Sequence, residues 1–305
     1  MHKPKTARFV KPCLLGRAVY LRTMKDIQTL AVVGAGTMGL GIAQLGIQHG
    51  LPTVLFDLSP SALEKAHTAI AAGLGKLVEK NRLTAEARDA ALARLTPTTD
   101  MSTVQADLII EAVVERLDVK HQLFLELATI NGPETILASN TSSLPITQLA
   151  APVPHPERVV GMHFFNPAPL MPLVEVISGV ATAPAVADAV EALAKRLGKT
   201  PVRAADAPGF IVNRVARHYY VESLKIVEEN VASFQVVDEL LEASGFKMGP
   251  FRLMDLIGVD TNFSVTSAMF ASFHQDAKFR PSRIQQQKVD AGHHGRKTGR
   301  GFYTY

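Results

Sequence analysis

The apolar run Leu30 to Val33 breaks into Gly34-Ala35-Gly36-Thr37-Met38-Gly39, and no other feature constrains the fold of this chain as tightly. The glycines are spaced G-x-G-x-x-G, a helix-compatible stretch follows to about His49, and a second apolar run, Thr53 to Phe56, ends in Asp57. Strand, glycine turn, helix and strand make a βαβ unit. In such a unit the first glycine forms the tight turn, the second lets the backbone approach a pyrophosphate, and the third lets helix and strand pack closely. Amides at the helix N-terminus then face the negative charge. Gly34, Gly36, Thr37, Met38 and Gly39 are therefore the expected dinucleotide contacts. Asp57, eighteen residues beyond Gly39, stands where a carboxylate accepts the ribose hydroxyls and repels a 2′-phosphate, which favours NAD over NADP. The plainer alternative is an aspartate that caps the next helix.

Ser59 followed by Pro60 and Leu63 reads as an N-cap with proline at the first helical position, opening a helix to about Lys80. A second helix is expected over Ala85 to Arg94. Short apolar runs recur at Leu108 to Ile110, Ile136 to Ala138, Val159 to Met162, Leu173 to Ile177 and Pro201 to Arg203, with helical stretches between them. This alternation predicts an α/β class: a Rossmann-type, doubly wound, mostly parallel sheet over 24–206. Beyond Asp206-Ala207-Pro208-Gly209 the strand-like runs stop, and an all-α C-terminal domain is expected over 207–305.

Charge is misleading in this chain. Its formal net charge is +4, yet six of the 32 Lys and Arg residues lie before Met24, where there is no acid, and the remaining 26 face 28 acidic residues. The basic excess belongs to residues 1–23, an expected extension that is disordered, arises from a start site upstream of Met24, or carries a targeting signal. A nucleic-acid partner is not indicated. The single cysteine, Cys13, excludes an intrachain disulfide framework and suits a reducing compartment, with the cytoplasm as the default location. The longest stretch without a strongly polar residue, Leu30 to Ala43, contains four glycines and stops at Gln44. That is well short of the ~20 residues of a membrane span.

Val159-Val160-Gly161-Met162-His163 brings a histidine to the carboxyl end of a strand, the edge where open α/β sheets carry their ligands. It reads either as an acid–base group or as a structural histidine. Twelve residues on, Glu175 lies within Leu173-Val174-Glu175-Val176-Ile177 on the face shared by Leu173 and Ile177. A carboxylate in an apolar strand needs a partner, and an imidazole that becomes cationic would serve; the alternative is an edge strand whose glutamate reaches solvent. Asn140-Thr141-Ser142-Ser143 follows another strand at the same edge, either as ligand contacts or as a cap for a short helix at Pro145 to Leu149. Asn213, at the start of the helical part, reads as a functional or a structural hydrogen-bonding residue.

Taken together, GAGTMGLGIA, EAVVERLDVK, SNTSSL, HFFNPAPLMPLVEVI, DAPGFIVNR, MGPFRLMDLIGVD and GRKTGRGFYTY, in that order, resemble the 3-hydroxyacyl-CoA dehydrogenase family, most of all its short members acting on 3-hydroxybutyryl-CoA. The resemblance runs from about Lys25 to Tyr305. It implies His163 as catalytic base, Glu175 as its orienting partner, and Ser142 and Asn213 at the reacting oxygen or the cofactor. It also implies NAD contacts at Glu115, Lys120, Ser142, Asn166 and Lys297, an acyl-CoA substrate met by Lys80 and Ser142, and a homodimer formed by the helical domain. Where some members carry a serine one to two turns before the lysine, this chain has Gly73. A non-CoA hydroxy acid, of the L-gulonate or carnitine kind, is the resulting alternative, and a catalytically silent NAD-binding protein is the remote one. Gly73 and Gly75 also lower helix propensity by ~1 kcal/mol each, which predicts a mobile or partner-contacting segment. The β-hydroxyacid dehydrogenases with a catalytic lysine fit less well, since Asn213-Arg214 has no lysine beside it. The expected chemistry needs no metal, and no ligand cluster with useful spacing occurs.

Overall fold

The computed structural model describes residues 26–305; Cys13 and the extension expected over 1–23 lie outside them. The chain begins as the glycine turn requires. Strand β1 (Leu30–Val33) and strand β2 (Thr53–Phe56) run parallel, joined by helix α1 (Thr37–Gln48). Ser59 caps helix α2 (Pro60–Glu79), its Oγ accepting from the Ala62 amide at 3.3 Å, and Thr84 caps helix α3 (Ala85–Leu92) in the same way. Helix α2 runs unbroken through Gly73 and Gly75, with Ile70 and Leu74 buried.

A strand with no apolar run follows: β3 (Leu95–Thr98) pairs parallel with β2 along one side only. Its Leu-Thr-Pro-Thr sequence gave no strand signal, and Pro97 is tolerated because an edge strand leaves one row of donors unused. The chain continues through β4 (Leu108–Glu111), α4 (Leu117–Ile130), β5 (Ile136–Ser139), α5 (Ile146–Ala150) and β6 (Val159–Phe164). It ends the sheet with β7 (Leu173–Ser178), α6 (Pro184–Arg196) and β8 (Thr200–Ala205).

The strand order is β3-β2-β1-β4-β5-β6-β7-β8. The first six are mutually parallel, whereas β7 pairs antiparallel with β6 and parallel with β8. The order reverses at β1, between β2 and β4, the switch point that opens a crevice at the carboxyl edge. One sheet face packs Ile42, Ile70, Leu74, Val190 and Leu193 of α1, α2 and α6, and the other packs Phe124, Leu127, Ile146 and Leu149 of α4 and α5.

Beyond β8 the described residues form helices, α7 (Val212–Glu228), α8 (Phe234–Ala243), α9 (Pro250–Ile257), α10 (Val259–Ser272) and α11 (Arg283–Asp290), with single turns between, and isolated antiparallel bridges join Arg300 to Gly295 and Thr304. Their core is Tyr220, Leu224, Val237, Phe251, Met254, Val259 and Phe302, with Val227 and Phe234 packed against it. Asp255 ties down the last residues by accepting the amides of Phe302 and Tyr303, both at 2.9 Å. Among the described residues no helix is long and apolar enough to cross a membrane.

Candidate active site

The glycine turn separates into positions that packing explains and one that it does not. Gly34 has φ +102°, and a Cβ there would lie 2.7 Å from the Ala112 carbonyl oxygen; a Cβ on Gly39 would lie 1.7 Å from the Gly34 oxygen. Both glycines are demanded by the protein's own backbone. A Cβ on Gly36 meets nothing within 4 Å, so its bareness serves an approach from outside. Gly36 N-caps α1 without any side-chain cap, leaving the first amides of Thr37, Met38 and Gly39 without a capping acceptor. Half-buried Asp57 accepts from the Ala35 amide at 2.8 Å and the Ser59 amide at 2.9 Å. Since Ser59 caps α2, Asp57 is not a helix cap. It lines a 300 Å³ cavity with Val33, Gly34, Leu58, Val113, Leu123 and Glu126, mostly apolar walls with Asp57 beside the glycine turn, which suits the adenosine half of a dinucleotide.

At the other end of the crevice, antiparallel pairing sets His163 directly opposite Glu175. The imidazole Nδ1 lies 2.8 Å from Glu175 Oε2, with the histidine 6% and the glutamate 1% exposed. Strand β7 lies inside the sheet, so the solvent-facing alternative for Glu175 does not hold. The second carboxylate oxygen, Oε1, accepts from the Ile211 and Val212 amides, both at 2.9 Å, where α7 begins. Burial pushes the Glu175 carboxyl up, but hydrogen bonds from His163, Val212 and Ile211 outweigh it and hold the group below the ordinary carboxylate range. An anionic Glu175 keeps a proton on Nδ1, so the neutral ring offers its lone pair at Nε2. Phe165 and Phe210 wall the imidazole, with centroids at 4.6 and 5.8 Å.

The turn after β5 is tied to both strands beside it. Asn140 Oδ1 accepts the Phe164 amide at 2.9 Å, next to His163. Glu115 Oε1 accepts from Thr141 Oγ1 at 2.6 Å, the Ser142 and Ser143 amides at 2.9 and 3.1 Å, and the Ser143 and Ser142 hydroxyls at 3.1 and 3.3 Å. Burial raises the Glu115 carboxyl, but Lys120, Thr141 and Ser142 outweigh it and the group titrates below its ordinary range. The Ser142 carbonyl accepts a long 3.5 Å bond from Asn213 Nδ2, which links this turn to α7. Helix α5 is capped from afar, its Ile146 and Thr147 amides bonding Asp206 at 2.9 and 2.7 Å. The reading of residues 140–143 as its cap is thereby corrected.

Lys120 exposes none of its side chain and lies behind Glu115, between it and Glu111. Lys297 pairs with Asp260 at 2.7 Å at the start of α10. Lys80 is exposed at the C-cap of α2, and Asn166 is exposed in the loop after His163, before the cis peptide to Pro167. Sequence reasoning missed Glu111 and the capping role of Asp206. The sequence did carry a signal for Lys120: with Leu123, Phe124 and Leu127 it forms an i, i+3, i+4, i+7 face.

The family model described as the NAD binding domain of 3-hydroxyacyl-CoA dehydrogenase matches residues 29–207, and the model of its C-terminal domain matches 209–305. The chain is 49% identical over 284 residues to the 3-hydroxyadipyl-CoA dehydrogenase of Escherichia coli (strain K12), a match covering 92% of this chain and 60% of that protein. It is 43% identical over 276 residues to a probable 3-hydroxybutyryl-CoA dehydrogenase of Deinococcus radiodurans, covering 90% of this chain and 99% of that one. The crystal structure of (S)-3-hydroxybutyryl-CoA dehydrogenase from Ralstonia eutropha superposes with a TM-score of 0.89 at 41% identity, covering 92% and 99% of the two chains. The chain thus spans about three-fifths of the Escherichia coli relative and nearly all of the other two.

Proposed function

The chain belongs to the 3-hydroxyacyl-CoA dehydrogenase family, and from that premise we propose that it catalyses the reversible, NAD-dependent oxidation of a short-chain (3S)-3-hydroxyacyl-CoA, of the 3-hydroxybutyryl-CoA kind, to the 3-ketoacyl-CoA. The observation that carries this reading is the buried His163–Glu175 pair, 2.8 Å apart at the carboxyl edge. His163 Nε2 takes the proton of the 3-hydroxyl, and the anionic Glu175 stabilises the imidazolium that results. Ser142 and Asn213 hold the substrate oxygen as its charge changes. The amides of the Gly34–Gly39 turn hold the pyrophosphate, Asp57 takes the adenosine ribose, and Asn166 serves the nicotinamide end. When bound, NAD accepts the hydride released from C3.

Residues 24–206 act in this reading as the nucleotide domain and 207–305 as the closing domain, with Lys80 as the cation for the CoA moiety. The homodimer contact falls on the helical domain, where Val231, Val236 and Leu240 are exposed. A second reading changes only the acyl tail: the Escherichia coli relative is named for a substrate with a distal carboxylate. The test is consumption of NADH with acetoacetyl-CoA, with 3-oxoadipyl-CoA, free acetoacetate and NADPH as parallel arms. Turnover limited to NADH and acetoacetyl-CoA is expected. A clear preference for 3-oxoadipyl-CoA moves the assignment to the second reading, and inactivity with both thioesters overturns it.

A further inference from the structure

We propose that Lys199 is a positioning residue of the active site: together with the bare Gly41 of α1 it sets the place of the loop over 165–172, which carries Phe165 and Asn166. The inference rests on the proposed function through the roles given there to His163 and Asn166. The loop joins β6 to β7 at the carboxyl edge, directly after His163 and Phe164. Three of its eight residues, Pro167, Pro169 and Pro172, have no backbone N–H. Its own hydrogen bonds are accordingly few: the Leu170 and Met171 amides both donate to the Pro167 carbonyl at 3.0 Å. Among the described residues no backbone donor meets the carbonyls of Ala168 and Met171.

Lys199 supplies both donors. The turn out of α6 is made at Gly198, with φ +71°, and the Lys199 amide closes it on the Ala194 carbonyl at 2.9 Å. The Lys199 side chain, 8% exposed, then reaches back across 31 and 28 residues and donates to the Ala168 carbonyl at 2.6 Å and the Met171 carbonyl at 2.8 Å. The Thr200 amide extends the same seam to the Pro172 carbonyl at 2.7 Å. Among the described residues no carboxylate pairs with this ammonium, and burial holds it below the ordinary lysine range. A cation buried without a counter-ion lowers stability unless its hydrogen bonds compensate. Both of those bonds go to one loop, so that loop is where the lysine acts.

The loop is met a second time from α1. A Cβ on Gly41, two residues past Gly39, would lie 3.0 Å from Pro169 Cδ and 3.1 Å from Ala168 Cβ. Gly41 stands outside the G-x-G-x-x-G spacing, and a helix interior ordinarily disfavours glycine. Its bareness lets the loop settle on α1. Ala168 is thus held by Lys199 through its carbonyl and faces Gly41 through its methyl group. Two and three residues back from it are Asn166 and Phe165, whose ring centroid stands 4.6 Å from that of the His163 imidazole. A displacement of Ala168 is passed to both, and misplacement on the order of 1 Å costs up to ~100-fold in rate.

The experiment compares Lys199→Met and Gly41→Ala with the wild type in kcat at saturating NADH, in NADH affinity by fluorescence, and in hydrogen exchange over 165–173. Lys199→Met removes two donors and strands no carboxylate. It is expected to speed exchange of the loop amides by ~10-fold, to lower kcat by ~10-fold, and to leave NADH affinity within ~3-fold of wild type. In a Phe165→Ala/Asn166→Ala background it should change kcat by less than ~3-fold, because the groups it positions are already gone. Gly41→Ala presses on the same loop with no charge lost. It should lower kcat by ~3-fold or more at an unchanged unfolding midpoint, since the added helix propensity offsets the crowding. Unchanged loop exchange in Lys199→Met, a kcat within ~2-fold of wild type, or a loss that persists undiminished in the Phe165→Ala/Asn166→Ala background overturns the inference. Should Lys199→Met fail to fold, Gly41→Ala carries the test, and a wild-type kcat for it overturns the inference as well. Hydrogen exchange needs no substrate, so inactivity of the wild type with every thioester counts against the proposed function, while the dependence of the loop on Lys199 is still decided.

Discussion

Glu175 and Glu111 are both essentially buried carboxylates on strands of one sheet, yet their surroundings answer them differently. Glu175 is met by an imidazole and by two backbone amides at a helix start. Glu111 is met by a permanent ammonium, a hydroxyl and a backbone amide. An imidazole can gain and lose a proton near neutral pH, whereas a lysine side chain ordinarily does not. The first site suits proton movement and the second suits fixed geometry. Burial of a carboxylate alone distinguishes nothing; the titratability of its partner does.

The largest expected effect tests the proton-moving half of that contrast. His163→Ala should lower kcat by ~10³-fold or more, within the range attributed to general acid–base groups, while NADH affinity by fluorescence titration stays within ~2-fold. Joint loss of turnover and binding would make His163 a structural residue and dissolve the contrast.

Glu175→Gln should follow, with kcat down ~10²-fold, because a neutral amide no longer stabilises the imidazolium and sets a donor against the Ile211 and Val212 amides. It also has a pH signature. The Glu175 carboxyl is held below its ordinary value of 4.5, so its contribution to stability is present above the unfolded-state value and is lost as pH falls through the lower folded one. Urea unfolding from about pH 7 down to about pH 3 should show a steeper acid loss for the wild type than for Glu175→Gln. Parallel curves would mean that the buried bonds to α7 contribute nothing to folding.

How much of this was legible in the sequence follows from which interactions are local. The glycine turn, the Ser59-Pro60 cap and the strand bearing His163 are readable because each lies within a few residues of its partner. Glu175 was readable as a residue in need of a cation, since its strand is apolar. Its bonds to Ile211 and Val212 were not, because they form only when the helical domain folds back 36 and 37 residues later. Asp206 capping α5 across 60 residues escaped for the same reason. Strand β3 escaped because its one-sided pairing asks for no apolar run. The burial of Lys120 escaped because a lysine is usually solvated, although the apolar period around it pointed inward.

Asp57 sharpens the comparison as a third carboxylate at the same edge, half-buried and bonded to two amides beside a cavity. Its loss should alter binding and spare the chemical step. Asp57→Ala is expected to weaken NADH by ~10-fold and to raise the kcat/KM ratio of NADPH to NADH by a similar factor, as repulsion of the 2′-phosphate disappears. A fall in kcat at saturating NADH would show that the Ala35 amide, which Asp57 holds, matters more than the ribose.

The smallest effect belongs to Gly73, where no charge is involved. A Cβ there would lie 2.7 Å from Gln44 Oε1, the tip of a side chain that is itself 6% exposed. The position thus faces α1 across a tight helix–helix contact, and glycine is explained by packing before any ligand is invoked. Gly73→Ser gains helix propensity, roughly 0.5 kcal/mol, and loses part of it by displacing Gln44, so the unfolding free energy should move by no more than ~0.5 kcal/mol. KM for the CoA thioester should stay within ~2-fold. A fivefold or greater drop in KM at constant kcat would instead mean that a serine reaches the substrate, that CoA recognition is weakened by the glycine, and that the non-CoA alternative regains its footing.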